Sequence, residues 1–195
     1  MTKKLNKDYW ENRYQEQEIG WDVGFISTPL KEYIDQLKDN SLKILIPGAG
    51  NGHEFDYLYE KGFTNIFVID IAPTPLQNMQ QRLPHLDAKH FINQDFFSSE
   101  DQFDLIIEQT FFCALSPTLR KAYVEKMFSL LRPKGKIVGL LFDFPLTGEG
   151  PPFGGSRSEY QTLFEDYFEI KVLETANNSI KPRAGKELFV QFVKK

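Results

Sequence analysis

Residues Lys43 to Phe55 read KILIPGAGNGHEF, and this stretch gives the clearest indication of the fold. Its first five residues form an apolar run of strand length, and a helical pattern follows the glycines. Between the two lie Gly48, Gly50 and Gly52, which permit a sharp turn and a close approach of the backbone to a ligand. The stretch therefore predicts a strand, a glycine turn and a helix in succession.

Strand-like runs and helical patterns alternate on both sides of this turn. Strands are predicted at 43–47, 65–70, 89–92, 103–109 and 136–142, with helices at 53–61, 75–83 and 117–131. This alternation favours a parallel sheet with helices on both faces. A helix at 159–164 is then followed by strands at 168–174 and 187–193 with no helix between them, so these two strands can pair antiparallel. The expected fold is α/β and Rossmann-like, with a mostly parallel seven-stranded sheet and an antiparallel edge strand.

The front of the chain differs from the rest. Helices are predicted at 7–15 and 28–37, before the first strand, and residues 1–40 could form a helical cap over the carboxyl edge of the sheet. The length of 195 residues suits one domain, 1–195, with a sizeable core.

Composition excludes several classes of function. The net charge is −4 and no run of Lys or Arg stands out, so a nucleic-acid partner is not expected. The polar N-terminus is unlike a secretory signal, and no apolar stretch approaches the roughly 18 residues of a membrane span. Cys113 is the single cysteine, which fits a reducing cytosol. The spacing of the histidines predicts no metal site, and a cytosolic monomer acting on a small molecule is expected.

Candidate binding residues follow four neighbouring strands. Besides the glycine turn, Asp70 ends the second strand, 20 residues after Gly50, near the spacing at which an acid meets a ribose. Asp95 could accept from an adenine amino group, and Phe96 could cover the ring. Gln109 ends the fourth strand. Because ligands of open α/β sheets bind at the carboxyl ends of the strands, the pattern predicts a cofactor site of the adenosine type.

Several further motifs extend over nearly the whole chain and carry a family resemblance. They are Trp10-Glu11, Arg13-Tyr14, Gly20-Trp21-Asp22-Val23-Gly24, Thr28-Pro29-Leu30, Pro47 to Glu54, Asp70-Ile71, Asp95-Phe96, Phe111 to Leu115, Arg120, Met127 to Leu131 and Gly150-Pro151-Pro152-Phe153. With these motifs the sequence resembles the thiopurine S-methyltransferase family, and within it the thiol and halide methyltransferase branch. The resemblance implies a class I methyltransferase fold and S-adenosyl-L-methionine as the cofactor, with S-adenosyl-L-homocysteine as the product.

The resemblance also implies a set of site residues. The implied cofactor-binding residues are Trp10, Trp21, Gly48, Gly50, Asp70, Ile71, Asp95, Phe96 and Gln109. An apolar substrate pocket would be lined by Phe25, Phe112 and Phe153. Arg157 follows the GPPF loop, and it could either bind an anionic group of the substrate or cap the site in solvent. An aromatic face attracts a sulfonium, so the two tryptophans also suit the cofactor physically.

The expected reaction is transfer of a methyl group to a small soft nucleophile, namely a thiol, hydrogen sulfide or a halide ion. An anionic nucleophile needs no acid–base pair, so positioning can supply most of the catalysis. Gln109-Thr110 stands where thiopurine-acting members have Arg-Gly, and where the thiol and halide branch tends to have a tyrosine at the first position. A thiopurine or other sulfur, selenium or tellurium acceptor therefore stays open, as does a non-catalytic protein of this fold. The spacing G-x-G-x-G, instead of G-x-G-x-x-G, argues against a dehydrogenase.

Overall fold

The sheet of the computed structural model, which describes residues 4–195, has seven strands. In chain order they are β1 (Ile44–Pro47), β2 (Ile66–Asp70), β3 (Phe91–Asn93), β4 (Phe103–Gln109), β5 (Leu131–Phe142), β6 (Phe168–Thr175) and β7 (Glu187–Lys194). Their order in the sheet is β3-β2-β1-β4-β5-β7-β6, and β1 to β5 pair in parallel. The predicted fold class is confirmed. The antiparallel pair closes one side of the sheet, with β7 running opposite to its neighbours β5 and β6.

Six α-helices accompany the strands in the described part of the chain. They are α1 (Lys7–Gln15), α2 (Thr28–Ile34), α3 (His53–Glu60), α4 (Pro73–Arg82), α5 (Arg120–Leu130) and α6 (Arg157–Phe164). Alternate residues of the central strands supply two cores, because successive side chains of a strand point to opposite faces. Ile44 and Ile46 join the core under α2, α3 and α4, whereas Leu45 joins the core under α5 and α6. Helices thus cover both faces, as predicted.

The boundary between α5 and β5 differs from the sequence prediction. A helix to residue 131, a turn at 133–135 and a strand from 136 were expected. Instead, β5 begins at Leu131, which lies opposite Phe103, and the next paired residue of β5 is Lys136, opposite Leu105. The residues between them bulge out of the ladder, with Lys134 in the left-handed region at φ 64°. A bulge lets the strand continue on both sides of the extra residues.

Helix α1 docks through polar and aromatic contacts, since it contains no buried residue. Asn6 caps its N-terminus by accepting from the Tyr9 N–H. Glu11 accepts from both the N–H and the hydroxyl of Thr74, at 3.1 and 2.5 Å. Ala72, the N-cap of α4, has no side-chain acceptor to offer, so Glu11 satisfies a free donor in the first turn of that helix.

Within residues 4–195, no helix combines the length and apolar character needed to cross a membrane.

Candidate active site

A cavity of about 570 Å³ opens at the carboxyl edge of the sheet. The ends of β1, β2, β3 and β4 meet there, because Pro47 lies opposite Ile69 and Asp70 lies opposite Asn93 in the register. This volume is within the range of small-molecule and cofactor sites, roughly 300–1,000 Å³. The four sequence signals therefore converge on one space, as the parallel topology requires.

The glycine turn forms one wall of the cavity and needs glycine for two different reasons. Gly48 has φ +72°, and a Cβ there would lie 2.7 Å from Cδ2 of Phe111. Gly50 has φ +53°, but nothing lies within 4 Å of the position that its Cβ would take. The backbone at Gly50 is thus bare on the cavity side, which leaves room for a ligand against its peptide groups.

Asp70 holds the turn and faces the cavity at the same time. Its Oδ2 accepts from the Ala49 N–H at 2.9 Å, and its Oδ1 accepts from the Ala72 N–H at 2.8 Å. Burial raises the pKa of the Asp70 carboxyl to about 6, although hydrogen bonds from Ala72, Ala49 and Ile71 oppose that rise. Each carboxylate oxygen keeps a second lone pair, so the group can still accept from a ligand diol.

Most of the residues predicted from the sequence line this cavity. They are Trp10, Trp21, Phe25, Gly48, Gly50, Asp70, Ile71, Asp95, Phe96 and Gln109. Asp95 is exposed and accepts from the Phe97 N–H at 3.0 Å. Phe96 is 4% exposed and stacks on Tyr123 with ring centroids 5.8 Å apart, so its ring is fixed by the core.

Two predicted substrate residues, Phe112 and Phe153, do not line the cavity. Phe112 packs into the core against Tyr123, with ring centroids 4.9 Å apart. The reason is the 3₁₀ turn Phe112–Ala114, which turns successive side chains to different sides, so that Phe111 faces the cavity instead. The N–H of Phe153 donates to the carbonyl oxygen of Cys113 at 2.8 Å, while the neighbouring Pro151 and Pro152 line the cavity.

The predicted anion-binding arginine is also outside the cavity. Arg157 is exposed and pairs with Glu174 at 2.8 Å. Arg183 lines the cavity instead, donating to the carbonyl oxygen of Trp21 at 2.7 Å and pairing with the buried Glu187 at 3.5 Å. Arg183 was not predicted from the sequence. The predicted pairing of β6 with β7 could have indicated it. Because β6 runs parallel to β5, the loop that follows β6 and contains Arg183 lies at the carboxyl edge of the sheet.

The N-terminal segment supplies further cavity residues that the sequence analysis did not single out. Asp22 accepts from Nε2 of His53 at 2.7 Å and from Asn51, which joins the segment to the glycine turn. Burial raises the pKa of Asp22, but hydrogen bonds from Gly24, His53 and Asn51 outweigh it and hold the pKa below its ordinary value. Burial and the charges of Asp70 and Asp22 raise the pKa of Tyr14 well above its usual range.

The loop after β4 is organised by a buried carboxyl group. Glu108, 1% exposed, accepts from the N–H groups of Phe111 and Phe112 at 2.8 and 2.9 Å and from the Tyr123 hydroxyl at 2.6 Å. Burial raises the pKa of Glu108 to about 7, against the effect of those three hydrogen bonds. Thr110 adopts φ +60°, a strained value for a β-branched residue. The loop is therefore held in one conformation by Glu108.

Gln109 and Ser27 form a part-buried polar pair at the cavity wall. Ser27 is the N-cap residue of α2 but makes no side-chain capping bond. Its hydroxyl donates instead to Oε1 of Gln109 at 2.9 Å, and Nε2 of Gln109 is buried without a partner. An N-cap hydrogen bond stabilises a helix by about 1 kcal/mol. Ser27 forgoes that bond to α2, and its hydroxyl orients the Gln109 amide instead.

The positions and surroundings of candidate metal ligands and of the single thiol also bear on the chemistry of this edge. Across residues 4–195, no three His, Cys, Asp or Glu side chains are grouped so that they could hold a metal ion. Cys113 lines the cavity, but burial raises the pKa of its thiol well above the ordinary value. A protonated thiol is a weak nucleophile, so Cys113 acts here as a small apolar side chain.

Known proteins resemble this chain over nearly its whole length. The profile of the thiopurine S-methyltransferase family matches residues 5–194. A probable thiol methyltransferase 2 from Arabidopsis thaliana is 28% identical over 184 residues, which cover 91% of this chain and 81% of the relative. A thiopurine S-methyltransferase from Nitrosospira multiformis is 24% identical and matches 87% of this chain and 86% of its own length.

The fold matches solved methyltransferase structures. A 1,6-didemethyltoxoflavin-N1-methyltransferase from Burkholderia thailandensis, crystallised with S-adenosylhomocysteine, superposes with a TM-score of 0.77 at 19% identity. The match covers 97% of this chain and 87% of that one. A family profile that spans nearly every residue, on this sheet and around this glycine turn, leads to one conclusion: the chain belongs to the thiopurine S-methyltransferase family, whose members are S-adenosylmethionine-dependent methyltransferases.

Proposed function

We propose that the cavity binds S-adenosylmethionine and transfers its methyl group to a small soft nucleophile: a thiol, hydrosulfide or a halide ion. The observation that carries the proposal is the meeting of Gly50, Asp70 and the aromatic rings of Trp10 and Trp21 in one cavity. The bare backbone at Gly50 suits the amino-acid part of the cofactor, and the Asp70 carboxylate suits the ribose diol. Asp95 and Phe96 are the proposed adenine contacts.

The residues around the cavity supply binding, orientation and exclusion of water. Once bound, S-adenosylmethionine supplies a methyl group already activated by the positive charge on its sulfur. Trp10 and Trp21 present aromatic rings 5.7 Å apart, edge to face, and an aromatic face can stabilise a nearby cation by ~0.5–2 kcal/mol. Phe111 and Cys113 supply apolar wall, which keeps water from competing with the acceptor. Holding the acceptor in line can contribute roughly 7–11 kcal/mol.

An anionic acceptor is supported by two polar groups in the lining of the cavity. Arg183 places a guanidinium on the lining, and Gln109 places an amide there whose oxygen is already engaged by Ser27. Both groups favour an acceptor that takes hydrogen bonds or carries negative charge. The similarity to a probable thiol methyltransferase supports the same class of acceptor.

A panel of acceptors tests this function. Purified protein is mixed with S-adenosylmethionine and, separately, with hydrosulfide, iodide, a small aryl thiol or a thiopurine, and S-adenosylhomocysteine formation is measured. We expect kcat/KM for hydrosulfide or iodide to exceed that for the thiopurine by about tenfold or more. A poorly fitting acceptor would leave the polar groups of Arg183 and Gln109 unpaired, which raises the free energy of the transition state. Turnover with the thiopurine alone would move the protein to the other branch. Cofactor binding without any turnover would favour a non-catalytic protein.

We further propose that residues 1–40 act as a cap on a single methyltransferase domain. Residues 1–3 lie outside the described part of the chain. The support comes from α1, which buries none of its residues while Trp10 and Tyr14 line the cavity. A helix with so few buried contacts belongs to the less stable part of a fold. The cytosolic monomer expected from the sequence is kept as part of this proposal.

Limited proteolysis checks the cap. We expect S-adenosylhomocysteine to slow tryptic cleavage after Lys7 and Arg13 by about tenfold, because a bound ligand shifts the population toward the closed state. Cleavage after Lys134, which is exposed in the bulge at the opposite edge of the sheet, is the internal control and should change much less. Equal cleavage of the N-terminal segment with and without ligand would contradict the cap.

A further inference from the structure

Arg13 places a positive charge on the cavity from the N-terminal helix. It lies in the last turn of α1, three residues after Trp10, and both residues line the cavity together with Tyr14. This spacing puts the three side chains on one face of the helix. The helix therefore presents a cation to the cavity between two aromatic rings.

The guanidinium of Arg13 is held in place but only partly used. Its Nη1 donates to Glu18 at 2.7 Å, and its Cζ lies 5.5 Å from the ring centroid of Trp21. Its Nε is buried and has no hydrogen-bond partner. Nε and Nη2 form the side of the guanidinium that matches the two oxygens of a carboxylate. A buried arginine donor without a partner calls for an explanation, and a ligand that completes the fork provides one.

The charges of the cavity make a ligand carboxylate the fitting partner. In the described lining, four carboxyl groups, those of Asp22, Glu54, Asp70 and Asp95, face two arginines. Arg183 already has the Trp21 carbonyl and the buried Glu187 as partners. Arg13 has a free side to its fork, and its one acidic partner among residues 4–195, Glu18, is 54% exposed. A ligand carboxylate, which takes two parallel hydrogen bonds, would therefore be drawn to the free side of Arg13, whereas Arg183 offers a small anionic acceptor its charge.

The position of Arg13 selects the amino-acid end of the cofactor. Tyr14, the next residue, lies beside the backbone of Gly50 and packs against Trp21 with ring centroids 5.7 Å apart. Gly50 belongs to the turn proposed for the amino-acid part, whereas the proposed adenine contact Asp95 follows β3, two strands away from β1. We propose that Arg13 binds the α-carboxylate of S-adenosylmethionine through its free Nε and Nη2. This inference rests on the proposed cofactor site.

Binding calorimetry without any acceptor tests the inference. S-adenosylmethionine and its decarboxylated form, which lacks only the carboxylate, are titrated into wild type, Arg13→Gln and Arg13→Lys. We expect Arg13→Gln to weaken binding of S-adenosylmethionine by about 10- to 100-fold and binding of the decarboxylated form by less than about twofold, because only the first ligand has a partner for the fork. Arg13→Lys should fall between, since it keeps the charge without the fork.

Arg157→Gln is the matched control, because it removes an exposed, ion-paired arginine outside the cavity. It should leave both affinities unchanged. Equal weakening of both ligands by Arg13→Gln, or a wild type that does not discriminate between them, would overturn the role of Arg13 while leaving the cofactor site in place. If wild type binds neither ligand, the proposed cofactor site fails, and the inference fails with it. Because α1 buries no residue, the variants should fold, which circular dichroism checks.

Discussion

Replacing Asp70 with alanine is expected to weaken S-adenosylhomocysteine binding by about 100-fold or more, because hydrogen bonds to a charged group are worth ~1.5–3 kcal/mol each and two ribose hydroxyls would lose their acceptor. The same change leaves the N–H groups of Ala49 and Ala72 without their acceptor, because both donate to Asp70 in the native protein, at 2.9 and 2.8 Å. The glycine turn would then lose its anchor to β2 as well as its ligand contact. Isothermal titration calorimetry measures the loss.

Two further variants make the result specific. Asp70→Asn keeps the size and one oxygen acceptor, so its affinity should lie between wild type and alanine. Asp87→Ala removes an exposed carboxylate that also accepts a backbone N–H, from Lys89 at 3.0 Å, but lies outside the cavity. It should bind as wild type does. Wild-type affinity in a folded Asp70→Ala protein would contradict the ribose role.

The pH dependence of binding should report the same carboxyl group. Because burial raises the pKa of Asp70 to about 6, the group gains a proton as the pH falls through that value. The protonated form accepts hydrogen bonds less strongly, so affinity should decline from pH 7 to pH 5. Asp70→Asn, which cannot titrate, should show a flatter profile over the same range.

Replacing Glu108 with alanine is expected to lower the free energy of unfolding by about 3–5 kcal/mol, since it leaves three buried donors unsatisfied and opens a cavity in the core. The donors are the N–H groups of Phe111 and Phe112 and the hydroxyl of Tyr123. The strained φ of +60° at Thr110 would also lose its support. Urea denaturation followed by circular dichroism measures the change. Glu165→Ala, an exposed residue at the end of α6, should change stability by less than about 0.5 kcal/mol.

Glu108→Gln separates the charge of this group from its hydrogen bonds. Its amide oxygen can accept from both N–H groups, and its NH₂ can donate to the phenol oxygen of Tyr123. Because the native pKa is raised to about 7 from an ordinary 4.5, the native state binds more protons than the unfolded chain between these values. The contribution of Glu108 to stability is therefore fully present below about pH 4.5 and declines as the pH rises to about 7. Relative to wild type, Glu108→Gln should gain stability over that interval. A stability difference that does not change with pH would contradict this.

The elements of the fold and the four points of the candidate site could be predicted from local patterns in the sequence. The predicted strand 103–109 matches β4 and the predicted helix 7–15 matches α1, because apolar periodicity and turn residues act over a few neighbouring positions. The convergence of Gly50, Asp70 and Asp95 also followed from sequence, since parallel topology places the ends of successive strands at one edge.

The loop side chains that face the cavity could not be predicted from the sequence, because their directions depend on contacts made in the folded chain. Phe111 lies on the cavity, and Phe112 does not, because a 3₁₀ turn sets the direction of each ring. The buried Glu108 anchors that turn by accepting from the Phe111 N–H. Arg183 lies on the cavity, and Arg157 does not, because Arg183 donates to the carbonyl oxygen of Trp21, 162 residues away along the chain. Local patterns carry the period of a helix or strand, but a loop residue has no period. Its direction is fixed by contacts with distant residues that become neighbours only when the sheet has formed.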